Sequence, residues 1–259
     1  MRIVSIVFGL FMTLMMSGTP SLAINSDDIN DNELILVAGA SGRTGVYVLK
    51  YLKAEGRNFI AMTSNRERAI EKVSDDYNWV EADVKDLKTL EPIMAGVTKI
   101  ISGLGSTKFE GPNSPEYIDY GGIKNLVDVA EAAGTVDQIV LMSSSGVTQK
   151  DNPLNRFGNV LTWKLKGEDY LRASSISHTI VRAGGLTNTE AGIVSIRLQQ
   201  GDRALNGGMT GRGNFAAICI EALTNQDAKN KTFEAFDDKT LEPDTWLKVF
   251  SKLIPDEKQ

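Results

Sequence analysis

The chain has 259 residues, 42% of them hydrophobic, and carries 28 basic against 33 acidic residues for a net charge of −5. With no Lys/Arg cluster, that balance argues against a nucleic-acid partner. The single cysteine, Cys219, excludes an intramolecular disulfide, and no His/Cys/carboxylate grouping has metal-ligand spacing, so no metal is expected.

Residues 1–23 join one positive residue (Arg2), an apolar core over 3–16 and a small-x-small end, Ser21-Leu22-Ala23. This is the pattern of a secretory signal peptide cut after Ala23, and it predicts export to a periplasmic or secreted address. The apolar part is short against the ~20 residues of a membrane span, so no stable membrane contact is expected after cleavage. An organelle-targeting segment or an uncleaved anchor remains the alternative. Asp27, Asp28, Asp31 and Glu33 mark 24–33 as a flexible leader, and 34–259 suits one large α/β domain.

The apolar run 34–38 reads as a buried parallel strand. It feeds a GxxGxxG turn (Gly39, Gly42, Gly45) and then a helix over 44–54 with Val46, Val48, Leu49 and Leu52 on one face. Strand, glycine turn and helix together form the geometry that holds a dinucleotide pyrophosphate. Gly39 permits the tight turn, Gly42 lets backbone approach the phosphates, and Gly45 lets the helix pack on the strand. The helix N-terminus offers free N–H groups and the positive end of its dipole.

Further strands are predicted over 59–63, 78–81, 99–102, 138–143, 178–182 and 232–236. Helices are predicted over 66–73, 87–94, 116–133, 160–173, 214–225 and 244–253. Such alternation predicts an α/β, Rossmann-type doubly wound parallel sheet in a single domain. The stretch 184–213 is rich in Gly, Thr and Asn, lacks periodicity, and is expected to form a small C-terminal substrate or lid region. Cys219 lies in an apolar run and reads as core. His178 opens a strand and reads as structural, since catalytic histidine needs a positioned partner. Trp163 and Trp246 read as packing residues.

Seven blocks stand in a familiar order: VAGASGRTG (37–45), EADVKD (81–86), ISGLGS (101–106), YGGIKNLVDVAEAAG (120–134), IVLMSSSGVT (139–148), WKLKGEDYLRASSISHTIVRAGGL (163–186) and ALTNQDAKNKTFEAF (222–236). On these blocks the chain, from 34 to about 253, resembles the atypical short-chain dehydrogenase/reductase superfamily. The likeness is to its NAD(P)H-binding group of flavin/biliverdin reductase-like and NmrA-like proteins. The resemblance implies a nicotinamide cofactor, with Gly39, Ser41, Gly42, Arg43, Thr44 and Gly45 around the pyrophosphate. NAD-specific members carry an acid at the end of the second strand for the ribose 2′-hydroxyl. This chain has Thr63-Ser64-Asn65-Arg66 there. Arg43 and Arg66, with Ser64 and Asn65 as donors, suit a 2′-phosphate, so NADP (NADPH) is favoured over NAD. Relatives often place their arginine where Ser64 stands. By the same resemblance Asp83 and Val84 edge the adenine, Gly103 and Leu104 line the nicotinamide-side ribose, and the backbone of Ala183 and Gly184 faces the carboxamide.

The superfamily's chemistry uses serine, tyrosine and lysine, the last two spaced YxxxK on one helix face. Lys164 aligns with the lysine, but the position four residues before it is Val160. Tyr117 and Tyr170 lack the spacing. The catalytic candidates are therefore Lys164, Ser144 and Ser143. The leading expectation is an NADP-dependent oxidoreductase passing hydride to a small, planar or carbonyl-bearing acceptor. The missing tyrosine keeps a second reading open, a non-catalytic NAD(P)-binding sensor or assembly factor. An NAD-dependent epimerase or isomerase is the third. Neither the substrate nor the oligomeric state is written in a motif.

Overall fold

A computed structural model describes residues 32–202 and 208–257. The signal-peptide reading and residues 24–31 of the expected leader lie outside the described residues. The leader ends sooner than expected: Glu33 is buried, accepts from Arg57 Nε at 2.8 Å and lies 3.0 Å from Lys99 Nζ. Two basic partners hold this carboxylate against the N-terminal end of the sheet.

In chain order the main elements are β1 (Ile35–Ala38), α1 (Gly45–Ala54), β2 (Phe59–Thr63), α2 (Arg66–Lys72), β3 (Trp79–Glu81), α3 (Leu87–Leu90) and β4 (Lys99–Ser102). Then come α4 (Ile123–Ala133), β5 (Gln138–Ser144), α5 (Val160–Arg172), β6 (Ser177–Ala183), β7 (Gly185–Thr187), β8 (Ser195–Gln199), β9 (Met209–Gly211), α6 (Arg212–Thr224) and β10 (Lys231–Asp238). The large sheet runs β3-β2-β1-β4-β5-β6-β10-β8. Its pairings are parallel except β10 with β8, which is antiparallel. β1 is buried along its whole length, as its uninterrupted apolar run requires of a strand covered on both faces.

Alternate strand residues face two cores. One face packs Val37, Val140 and Val181 under α1 and α6, through Val48, Leu49, Leu52, Phe215 and Ile218. The other packs Leu36, Ile100 and Ile180 under α4 and α3, through Leu126, Val127 and Leu90. Cys219 is fully buried in the first core, and burial pushes its thiol pKa up, as its apolar setting demands. Trp246 is also buried there.

Three readings change. The expected helix over 116–133 begins as a π-helix, Glu116–Gly122, and becomes α-helical only at Ile123. The final helix is 3₁₀ over Thr245–Lys252. The region 184–213, read as lacking periodicity, contains strands: β8 extends the large sheet against β10, and β7 pairs with β9 in a two-stranded sheet. Unlike β1 and β4, these strands (GLT, SIRLQ and MTG) hold no continuous apolar run to mark them.

Candidate dinucleotide site

The strand order turns back at β1, which lies between β2 and β4. In open α/β sheets the crevice beyond the carboxyl ends of strands at such a point takes the ligand. Here those ends are Ala38-Gly39 and Ser102-Gly103. Gly39 has φ +79°, and a Cβ on it would lie 2.9 Å from the Gly103 carbonyl oxygen. Both the left-handed backbone and the neighbouring loop therefore demand glycine. A Cβ on Gly45 would lie 2.4 Å from the Gly39 oxygen and 2.6 Å from the Ala40 oxygen, so α1 starts in backbone contact with the turn. α1 has no side-chain cap and no acid in its first turn. This leaves a bare, positively polarised helix end inside a cradle of backbone. The fit to a pyrophosphate is good.

At the end of β2 the groups divide. Asn65 caps α2, its side-chain oxygen taken by the Arg68 N–H at 2.8 Å. The Arg66 N–H donates to Glu81 at 2.8 Å, while Ser64 and the Arg66 side chain are exposed. Ser41 Oγ meets Thr63 Oγ1 at 3.2 Å. Lys72 reaches from the last turn of α2 to the Ser41 carbonyl at 2.7 Å. Sequence reasoning missed Lys72, because nothing in the pattern of α2 shows that its last turn meets the glycine turn. Asp83 accepts from the Lys85 N–H at 3.0 Å, and the cap of α3 is Asp86, which accepts from the Lys88 N–H at 3.0 Å. The buried Val84 has its carbonyl held by Asn125 at 2.8 Å. Gly184 is held by Thr210 Oγ1 at 2.9 Å.

Lys164, in the second turn of α5, is 2.7 Å from Asp119 Oδ1, and the Ser106 N–H donates to Asp119 Oδ2 at 2.9 Å. Asp119 lies in the π-helix and is buried. A Cβ on Gly167 would lie 2.6 Å from the Asp119 carbonyl oxygen, so the absent side chain lets α5 approach closely enough for the pair to form. A Cβ on Gly105, just past β4, would lie 3.8 Å from Lys164 Nζ. The lysine thus stands at the crevice. Asp119 was not foreseen; a π-helix, common at functional sites, leaves no periodic signal to find it by.

Ser143 goes elsewhere. Its hydroxyl donates to Glu168 at 2.6 Å in a buried network. Glu168 also accepts from Arg182 Nη2 and Arg172 Nη2, each at 2.6 Å. Arg182 Nη1 is 3.3 Å from Glu234. Among the described residues Ser144, half-buried at the end of β5 opposite Ala183, has only a 3.2 Å bond to the neighbouring Ser145 carbonyl. Val160 opens α5. The Tyr170 hydroxyl is engaged by Asp128 at 2.5 Å, which raises its pKa, and Tyr117 is half-exposed. His178 meets Asp256 at 2.9 Å at the other end of its strand.

A separate cavity of about 310 Å³ lies between α1, α6 and residues 190–196, with Tyr51, Glu190 and Trp246 among its walls. None of the expected cofactor residues lines it. Burial there pushes the Tyr51 phenol pKa up.

A bare helix end on a glycine cradle at the switch point defines a Rossmann-type dinucleotide-binding protein. The sequence profile of the NAD(P)H-binding family matches residues 39–226, and the chain belongs to that family. It is 33% identical over 236 residues to an uncharacterized chloroplastic protein of Arabidopsis thaliana, covering 83% of this chain and 72% of that one. It is 33% identical over 239 residues to sanguinarine reductase of Eschscholzia californica, covering 77% of this chain and 87% of the reductase. Among solved structures, a Bacillus halodurans protein of provisional NAD-dependent epimerase/dehydratase assignment superposes with a TM-score of 0.72 at 26% identity, covering 85% of this chain and 100% of that one.

Proposed function

We propose that this protein is an NADP-preferring oxidoreductase acting on a small planar or carbonyl-bearing acceptor. The observation that carries the reading is Lys164, held by Asp119 and set beside Gly105 in the same crevice as the glycine turn. The similarity to sanguinarine reductase supports a small-molecule acceptor. The absence of an acid at 63–66, with Glu81 engaged by the Arg66 N–H, the Arg66 side chain exposed, and Arg43 and Lys72 at the turn, supports the 2′-phosphate preference.

In this reading Gly39, Gly42 and Gly45 leave room for the pyrophosphate, and Ser41, Arg43 and Thr44 hold it. Ser64 and Asn65 border the 2′-phosphate. Asp83 and Val84 border the adenine; Gly103, Leu104, Ala183 and Gly184 line the nicotinamide half. The dinucleotide, when bound, supplies the hydride. Asp119 fixes the Lys164 ammonium, which holds the ribose hydroxyls. Ser144, whose hydroxyl has only a local partner, faces the acceptor and with water serves as the proton source in place of the absent tyrosine. Ser143 anchors Glu168 and stays out of the chemistry.

Val160 at the tyrosine position favours one competing reading, a cofactor sensor without turnover. The chloroplastic relative supports organelle import over export as the role of residues 1–23, which would place the protein where nicotinamide dinucleotide is abundant.

The test is the thermal midpoint with saturating NADPH and, separately, NADH, followed by turnover with quinone, flavin and aldehyde acceptors in wild type and Lys164→Ala. A hundredfold excess over Kd stabilises by about 2.7 kcal/mol. A larger shift with NADPH, and turnover lost in a folded Lys164→Ala, is expected. No shift with either dinucleotide overturns the reading. A shift with no turnover on any acceptor leaves the sensor.

A further inference from the structure

Arg212, the first residue of α6, carries a charge that nothing above uses. It is 6% exposed. Its Nη1 donates to the Leu186 carbonyl at 3.3 Å and to Asn188 Oδ1 at 2.7 Å, both neutral acceptors. Its buried Nε has no hydrogen-bond partner among the described residues. The two other buried arginines among the described residues are matched by acids: Arg57 by Glu33, and Arg182 by Glu168 and Glu234. Neither Arg212 nor Arg43 has a carboxylate within 4.0 Å among the described residues. A buried cation without a counter-ion is unfavourable, and an anion that joins it relieves the cost.

Its position says which anion. Asn188, which holds Arg212, also accepts the Tyr47 hydroxyl on its carbonyl at 3.0 Å, and Tyr47 lies in the first turn of α1. Arg212 therefore stands beside the bare helix end of the glycine turn. Burial, and then the like charge of Arg43, hold its pKa below the ordinary arginine value.

We propose that Arg212 and Arg43 form an oxyanion subsite over the first turn of α1. Arg212 closes it from the α6 side with a buried positive charge that no acid among the described residues matches, and the site takes a phosphate-class anion. That anion is either the dinucleotide's pyrophosphate or an acidic group on the acceptor. This inference rests on the reading of the glycine turn as a dinucleotide site.

Calorimetric titration of wild type, Arg212→Met and Arg212→Lys with NADPH, NADH and inorganic pyrophosphate tests it. Loss of charge-assisted hydrogen bonds in Arg212→Met should weaken binding roughly ten- to hundredfold, with Arg212→Lys between the two. If NADPH and NADH weaken alike and NADPH displaces pyrophosphate, the anion is the cofactor's own. If both dinucleotides bind Arg212→Met normally, but pyrophosphate binds NADPH-loaded wild type and not the loaded variant, the anion is the acceptor's. Should the variants not fold, the Arg212 Nε–H resonance of the wild type must move on adding pyrophosphate or NADPH. Affinities within about twofold of wild type for all three probes, or an unmoved resonance, overturn the subsite. Pyrophosphate binding through Arg212 without binding of either dinucleotide would refute the cofactor reading alone.

Discussion

Glu234 sits in the middle of β10, fully buried, with Oε1 3.3 Å from Arg182 Nη1 and Oε2 without a partner. Burial outweighs the attraction of Arg182 and raises its pKa from 4.5 to about 6. The folded state then holds this proton more tightly than the unfolded chain. Its contribution to stability is complete below 4.5 and is lost as pH rises through about 6. A rise of that size corresponds to about 2 kcal/mol. Glu234→Gln removes the titration but keeps the shape and an oxygen for Arg182. Urea unfolding of both proteins across this range yields the difference in stability, wild type minus variant. Glu55, also raised, and Asp256, lowered, titrate in both proteins and cancel. The difference should fall by about 2 kcal/mol on going from acid to neutral pH, mostly between the two pKa values. A flat difference, or one that rises with pH, would show that Arg182 and not desolvation governs this carboxyl.

Gly45→Ala forces a Cβ into the Gly39 and Ala40 carbonyls, so it should cost about 1–3 kcal/mol and abolish the thermal shift with both dinucleotides at unchanged circular dichroism. Retained binding would mean that the turn can open. Glu168→Gln leaves Arg182 and Arg172 short of their shared carboxylate and should cost about 3–5 kcal/mol in urea unfolding. Ser143→Ala removes one of the two bonds to Glu168 Oε1 and leaves the Arg182 Nε bond at 3.1 Å, for about 1.5–3 kcal/mol, with kcat nearly unchanged; lost turnover at full stability would return Ser143 to the chemistry. Asp119→Asn should lower turnover through Lys164, so in a Lys164→Ala background it should do nothing more. An additive loss in that double-mutant cycle would give Asp119 a role of its own.

The glycine turn was legible because its chemistry is local. Gly39, Gly42 and Gly45 each answer to atoms within six residues, or to a strand end that the alternating pattern already brings near. Seven strands of the large sheet announced themselves by apolar runs, since a strand covered on both faces has no polar side to show. The absence of an acid at 63–66 was equally visible. β7, β8 and β9 were not: they exist because β10 and each other supply partners, and nothing in three to five residues encodes a partner.

The site divides in the same way. Lys164 could be found by alignment of one helix, yet what fixes it, Asp119, comes from a π-helix 45 residues earlier and from the missing Cβ of Gly167. The serines looked interchangeable in sequence; strand pairing turned Ser143 onto Glu168 and left Ser144 with a local partner. Arg212 fell within the aperiodic stretch 184–213 and was not singled out until the fold buried it among neutral acceptors beside Arg43. Backbone propensity and hydrophobic period act between near neighbours, so the sequence by itself determined the Rossmann frame and its glycine turn. Charge pairing acts between groups that only the crossover topology makes neighbours. Tertiary structure therefore decided which of the foreseen polar residues remain free for chemistry and which are held by the frame.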